Sequence, residues 1–173
     1  LDENIKLSKK FTISLFITFL IALFSGYYQY INGYNIFGII SSSHTRLTLL
    51  FKEKLYMGGY VARLFPLLVG LLIFHFSDKK YRKIMVLVTF ALLILTDVLI
   101  FMSGERTALG LLFISTVAFI LLLSNLKTVR IFSLIISIII IIIISINFPS
   151  IKERNINHTL RQIGVTSDNY SPR

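Results

Sequence analysis

The chain has 173 residues, is 55% hydrophobic, and carries 18 Lys and Arg against 8 Asp and Glu, a net charge near +10. A soluble domain this apolar (mean hydropathy +0.78) would expose aggregation-prone surface, and a basic nucleic-acid-binding domain would not run above half hydrophobic. Disorder is excluded by the abundance of Ile, Leu, Val and Phe, so the composition points to an all-α integral membrane protein with its charge confined to loops.

Cysteine is absent, which removes disulfides and thiolate metal sites, and no Trp is present, which leaves Tyr and Phe as interfacial anchors. The chain opens on Leu1 and stops in the polar stretch Tyr170-Ser171-Pro172-Arg173, so it reads as a fragment of a longer protein.

A spanning helix needs about 20 mostly apolar residues. Five stretches meet or approach that length, and they predict a polytopic helical bundle forming a single membrane domain over 1–173. The first, near 11–31, follows Lys6, Lys9 and Lys10 and is uncharged. Its rival reading is a signal peptide, but no convincing small-x-small cleavage site follows. The second, 58–76, is interrupted by Arg63 and Pro66, and the third, 84–102, by Asp97. The fourth, 107–123, is uncharged. The fifth, 131–148, contains seven consecutive isoleucines, Ile138 to Ile144, which read as composition bias. β-branched residues are poor helix formers in water, but in lipid the backbone must satisfy itself within the segment, so helix is the expected form.

Short basic segments set orientation. The N-terminal ten residues, the turn Asp78 to Lys83 and the turn Asn125 to Arg130 alternate correctly and are expected in the cytoplasm, with the N-terminus inside. They hold nine of the 18 basic residues. The outer loop 32–57, the tight turn Ser103 to Arg106 and the outer tail 149–173 then face the other side. They are basic too, with Arg46, Lys52, Lys54, Arg106, Lys152, Arg154, Arg161 and Arg173. Long external segments tolerate positive charge, so a plain reading competes with a basic outward cavity for an anionic substrate.

Arg63 and Asp97 each lie five residues inside the outer end of their span, at roughly 7–8 Å depth for a helical rise of about 1.5 Å. Equal depth on neighbouring antiparallel helices predicts an ion pair. It either fixes helix register, or leaves Arg63 facing a wet cavity with Asp97 orienting it and Pro66 loosening the wall. In Ser103-Gly104-Glu105-Arg106-Thr107-Ala108-Leu109, Ser103 reads as the N-cap of the fourth span, and Glu105 suits the positive end of its dipole. Arg106 in that first turn opposes the dipole. It either snorkels to the interface or, with free helix N–H groups, makes a diphosphate site.

No phosphate-binding glycine loop, HExxH or G-x-S-x-G motif is present. His44, His75 and His158 are scattered, and no residue set reads as a metal site. A metal-free enzyme acting on a diphosphate would need several arginines, and the outer face offers them.

Two stretches carry a family resemblance. One is Arg46-Leu47-Thr48 followed by Tyr56-Met57-Gly58-Gly59-Tyr60-Val61-Ala62-Arg63-Leu64-Phe65-Pro66-Leu67-Leu68, and the other is Ser103 to Leu109. Together they resemble the O-antigen ligase and O-antigen polymerase-like family of bacterial inner-membrane glycosyltransferases over roughly 46–173. Ser171-Pro172-Arg173 is similar to the start of that family's large external loop, and the histidine expected in the loop does not occur here, so the general base is unassigned.

The resemblance implies a metal-independent, cofactor-free enzyme that moves a glycan from an undecaprenyl-diphosphate carrier to a saccharide acceptor (lipid A-core or a growing glycan) at the periplasmic face. It implies Arg106 as the first catalytic group, Arg63 and then Arg46 as substrate-binding arginines, and Glu105 as the residue orienting Arg106 or holding acceptor hydroxyls. Arg161 joins the substrate-binding set from the basic tail. Two readings compete: a transporter or flippase component for an anionic or lipid-linked solute, and a non-enzymatic membrane scaffold. The resemblance covers ligase and polymerase alike.

Overall fold

A computed structural model describes residues 2–38, 47, 57–76 and 82–147. Among these the chain is all α-helical: α1 (Asp2–Asn32), α2 (Met57–Phe76), α3 (Arg82–Ser103), α4 (Arg106–Leu122) and α5 (Ser124–Asn147). Four of the five, α1, α2, α3 and α5, are long and apolar enough to cross a membrane. α4, with 17 residues, reaches about 25 Å at a 1.5 Å rise, short of a hydrocarbon core of about 30 Å.

The helices run beyond the apolar stretches that predict them. α1 begins nine residues before Phe11, carrying Lys6, Lys9 and Lys10 on helical backbone. It ends where Gly33 adopts φ +80° and its N–H donates to Gln29 O at 2.9 Å, a left-handed stop that glycine takes without a Cβ penalty. α5 begins at Ser124, so five of its first seven residues are polar or charged.

α3 is the central helix and packs against all four others. Every residue of α3 from Thr96 to Ser103 is buried. Around it Phe19 of α1, Phe65 of α2 and Phe119 of α4 form an aromatic column, Phe19 stacked on Phe65 at 6.1 Å and Phe65 edge-on to Phe119 at 5.8 Å. Tyr27 ties α1 to α3 by donating to Leu95 O at 2.7 Å. The isoleucine run divides by helical periodicity: Ile140, Ile141 and Ile144 pack on the core, while Ile138, Ile139, Ile142 and Ile143 face outward.

Lys6, Lys9 and Lys10 of α1, Arg82 and Lys83 of α3, and Lys127 of α5 gather at one end, the basic end. The opposite end brings together the start of α2, the last turn of α3 and the start of α4.

Candidate functional site

At that opposite end, α3 stops at Ser103, Gly104 turns the chain with φ +65°, and α4 starts at Arg106. The left-handed conformation at Gly104 is one that residues with a Cβ rarely adopt. Ser103 is the last residue of α3, not the N-cap expected for α4. Its hydroxyl donates to Ile100 O at 2.7 Å and accepts weakly from Glu105 N at 3.4 Å. Glu105 holds the N-cap position instead, in extended conformation, and its side chain makes no bond to its own helix.

The Glu105 carboxylate caps a different helix. Oε1 accepts from Gly58 N and Oε2 from Gly59 N, each at 2.8 Å. These amides lie in the first turn of α2, where N–H groups have no intrahelical acceptor and the dipole favours a carboxylate. Both oxygens therefore serve to clamp α2 onto the α3–α4 turn. Two glycines make the approach possible. A Cβ on Gly58 would run into Ser103 Oγ and lie 3.0 Å from Ala108 Cβ, and one on Gly59 would lie 3.3 Å from Glu105 Oε2.

Arg106 is exposed at the first position of α4, fixed next to this clamp. Arg63 is exposed on α2 four residues after Gly59, so it shares the face of α2 that receives Glu105, one turn further along. The site thus combines two converging helix N-termini with two exposed guanidinium-bearing residues. Arg46 and Arg161, expected in the substrate-binding set, lie outside the described residues, as do His44 and His158.

Asp97 is placed elsewhere, and the expected Arg63–Asp97 pair is corrected. Asp97 is 2% exposed and pairs with Arg130 of α5, itself 1% exposed. Arg130 Nη1 donates to Asp97 Oδ2 at 2.7 Å and Nη2 to Asp97 Oδ1 at 3.1 Å, a bidentate geometry. Ser137 Oγ donates to Asp97 Oδ2 at 3.1 Å, and Arg130 Nη2 also donates to Thr116 Oγ1 of α4. Ser133 Oγ donates to Arg130 O at 2.9 Å. This cluster joins α3, α4 and α5 in the interior, and Asp97 does not face the Arg106 site.

The difference has a physical origin. Arg130 directly precedes the apolar run, so hydropathy alone makes it a peripheral charge that sets orientation. The helix starts six residues earlier, so Arg130 lies about 9 Å along α5, inside the bundle and not at its end. Ser133 and Ser137, at i+3 and i+7 from Arg130, are the available signal: small hydroxyls on the face of the charge that borders the apolar run. The Glu105 clamp had a fainter one, paired glycines opening a span.

Among the described residues no group of three or more His, Cys, Asp and Glu could hold a metal ion. His75 takes part in a hydrogen bond with Ser8 Oγ at 2.9 Å and belongs to the basic end. No family model, no curated protein and no solved structure matches the chain.

Proposed function

We propose that the chain is part of a bacterial inner-membrane glycosyltransferase of the O-antigen ligase or polymerase type, with its basic end in the cytoplasm and the Arg106 end at the periplasmic face. The carrying observation is the Glu105 clamp, which holds the N-termini of α2 and α4 together beside exposed Arg106, with Arg63 one turn below Gly59 on the same face. Glu105 already occupies the α2 amides, so the N-terminus of α4 with the two arginines is what suits a diphosphate better than a neutral ligand.

In this reading the donor glycan is carried on an undecaprenyl diphosphate. An acceptor hydroxyl oxygen bonds to the anomeric carbon as the bond from that carbon to the diphosphate oxygen breaks. The electron pair and negative charge leave with the lipid diphosphate, and the hydroxyl proton passes to a base outside the described residues. Arg106 stabilises the departing charge and Arg63 binds the same group. Glu105 is a positioning residue, because both of its oxygens are occupied by α2 amides.

The test is glycan transfer by membranes containing the full protein, supplied with a glycan on undecaprenyl diphosphate. Arg106→Ala lowers transfer by about 10²–10³-fold, the range for removing one charge-stabilising group, while the protein still inserts. A fully active Arg106→Ala variant overturns the reading. Loss of solute uptake without any transferase activity in the parent would assign the same arginines to a transporter.

A further inference from the structure

A half-open cleft of about 270 Å³ lies between α1, α2 and α3 toward the basic end. Ile13 and Phe16 of α1, Leu72 and Phe76 of α2, and Ile84 and Val88 of α3 line it. Its surface is wholly apolar: Thr12, which also borders it, turns its hydroxyl away to Ser8 O at 2.9 Å. Water in such a space would find no hydrogen-bond partner. The volume falls just below the about 300–1,000 Å³ of pockets that enclose compact ligands, which suits a slender chain.

The rim is cationic. Lys9 Nζ stands 5.4 Å from the centroid of Phe76, one of the lining residues. Arg82 and Lys83, both exposed, immediately precede Ile84 on α3. Lys6 and Lys10 flank Lys9 on α1, and α2 contributes His75, bonded to Ser8. The acidic groups on these elements are Asp2 and Glu3, more than a turn before Lys9, and Asp97, fourteen residues beyond Lys83 on α3 and paired with Arg130.

From this juxtaposition we infer that the cleft is a binding site for an anionic glycerophospholipid of the adjoining leaflet, with one acyl chain between α1, α2 and α3 and the phosphate on Lys9, Arg82 and Lys83. The lipid completes the packing of α1 against the bundle, and the charged rim selects it over zwitterionic neighbours. The inference does not depend on the glycosyltransferase reading, and its experiment does not read transfer.

The experiment is native mass spectrometry of the delipidated protein in detergent, titrated with phosphatidylglycerol or phosphatidylcholine. The parent retains one phosphatidylglycerol in preference to phosphatidylcholine. Each basic residue near an anionic lipid is worth about fivefold, so Lys9→Glu with Lys83→Glu weakens phosphatidylglycerol retention by at least about 25-fold and abolishes the preference. Val88→Trp, which fills the cleft, lowers retention of both lipids, whereas Leu87→Trp on the exposed side of α3 does not. Should Val88→Trp fail to fold, the charge-reversal pair decides alone.

Equal retention of the two lipids by the parent, or unchanged retention in the charge-reversed protein, overturns the inference. A dimer in the same spectra that disappears with Val88→Trp also overturns it, by giving the cleft to a second copy of the chain.

Discussion

Gly58→Ala would push a methyl group into Ser103 Oγ and to 3.0 Å from Ala108 Cβ, two short, fully buried side chains with little room to yield. Overpacking of this kind costs about 1–3 kcal/mol, so the variant should melt earlier in detergent than the parent. Gly59→Ala should cost less, because its new Cβ meets the end of a side chain, Glu105 Oε2 at 3.3 Å. Glu105→Ala should match or exceed Gly58→Ala, because it removes two part-buried hydrogen bonds to a charged acceptor, at about 1.5–3 kcal/mol each. Thermal unfolding of the three variants orders them. An unaffected Glu105→Ala would mean that water replaces the carboxylate and that the clamp carries no energy. The sequence showed that Glu105 suits a helix N-terminus, but not which helix. A local reading assigns a cap to the nearest helix, and the acceptor here bonds amides 47 and 46 residues away.

At the scale of helices, the Asp97–Arg130 pair is the contact that joins α3 to α5 and, through Thr116, to α4. Two buried charges are costly to desolvate, and their attraction offsets that cost only with good geometry and further hydrogen bonds. Bidentate pairing and Ser137 supply most of this, although Arg130 Nε has no hydrogen-bond partner among the described residues. Asp97→Ala or Arg130→Ala alone should destabilise by about 3–5 kcal/mol, since each leaves an uncompensated buried charge. The double change Asp97→Leu with Arg130→Met should recover most of that loss. A double-mutant cycle on unfolding midpoints checks both statements, and strict additivity would show that the two residues do not act as a pair. Arg63→Ala, at an exposed position, should leave the midpoint within about 0.5 kcal/mol of the parent, so any loss of transfer in that variant reports function and not folding. Charges inside apolar stretches were visible in the sequence, and the need for partners followed. The choice of partner depended on which helices become neighbours, and hydropathy does not encode that.

Across the whole molecule, the all-α bundle was legible because long apolar stretches leave the backbone no other way to satisfy its hydrogen bonds. The order of packing was not: α3 at the centre, with α5 folded back beside it, comes from side-chain fit among segments of similar hydropathy. The arrangement makes a direct prediction about sidedness. The chain has no cysteine, so single cysteines can be introduced without background. Asn4→Cys and Lys127→Cys should react with an impermeant maleimide from one side of the membrane, and Asn32→Cys and Thr107→Cys from the other. Labelling of Asn4→Cys and Thr107→Cys from the same side would show that α1 to α3 do not thread the bilayer alternately. The outward rows on α4 (Phe113, Ile114, Leu121, Leu122) and α5 (Ile138, Ile139, Ile142, Ile143) should tolerate exchange among Leu, Ile and Val with no change in midpoint beyond about 0.5 kcal/mol.

The ion pair between α3 and α5 also sets a schedule for synthesis. Asp97 emerges 33 residues before Arg130. At about 5–20 residues per second the carboxyl waits roughly 2–7 s for its counter-charge. During that interval α3 carries an acidic group that lipid disfavours, and the hairpin of α3 with α4 has Thr116 but not the guanidinium to offer it. A nascent chain arrested between the two positions would therefore hold α3 loosely in the membrane, open to extraction by membrane proteases. Arrival of α5 closes that window by supplying the guanidinium that completes the pair.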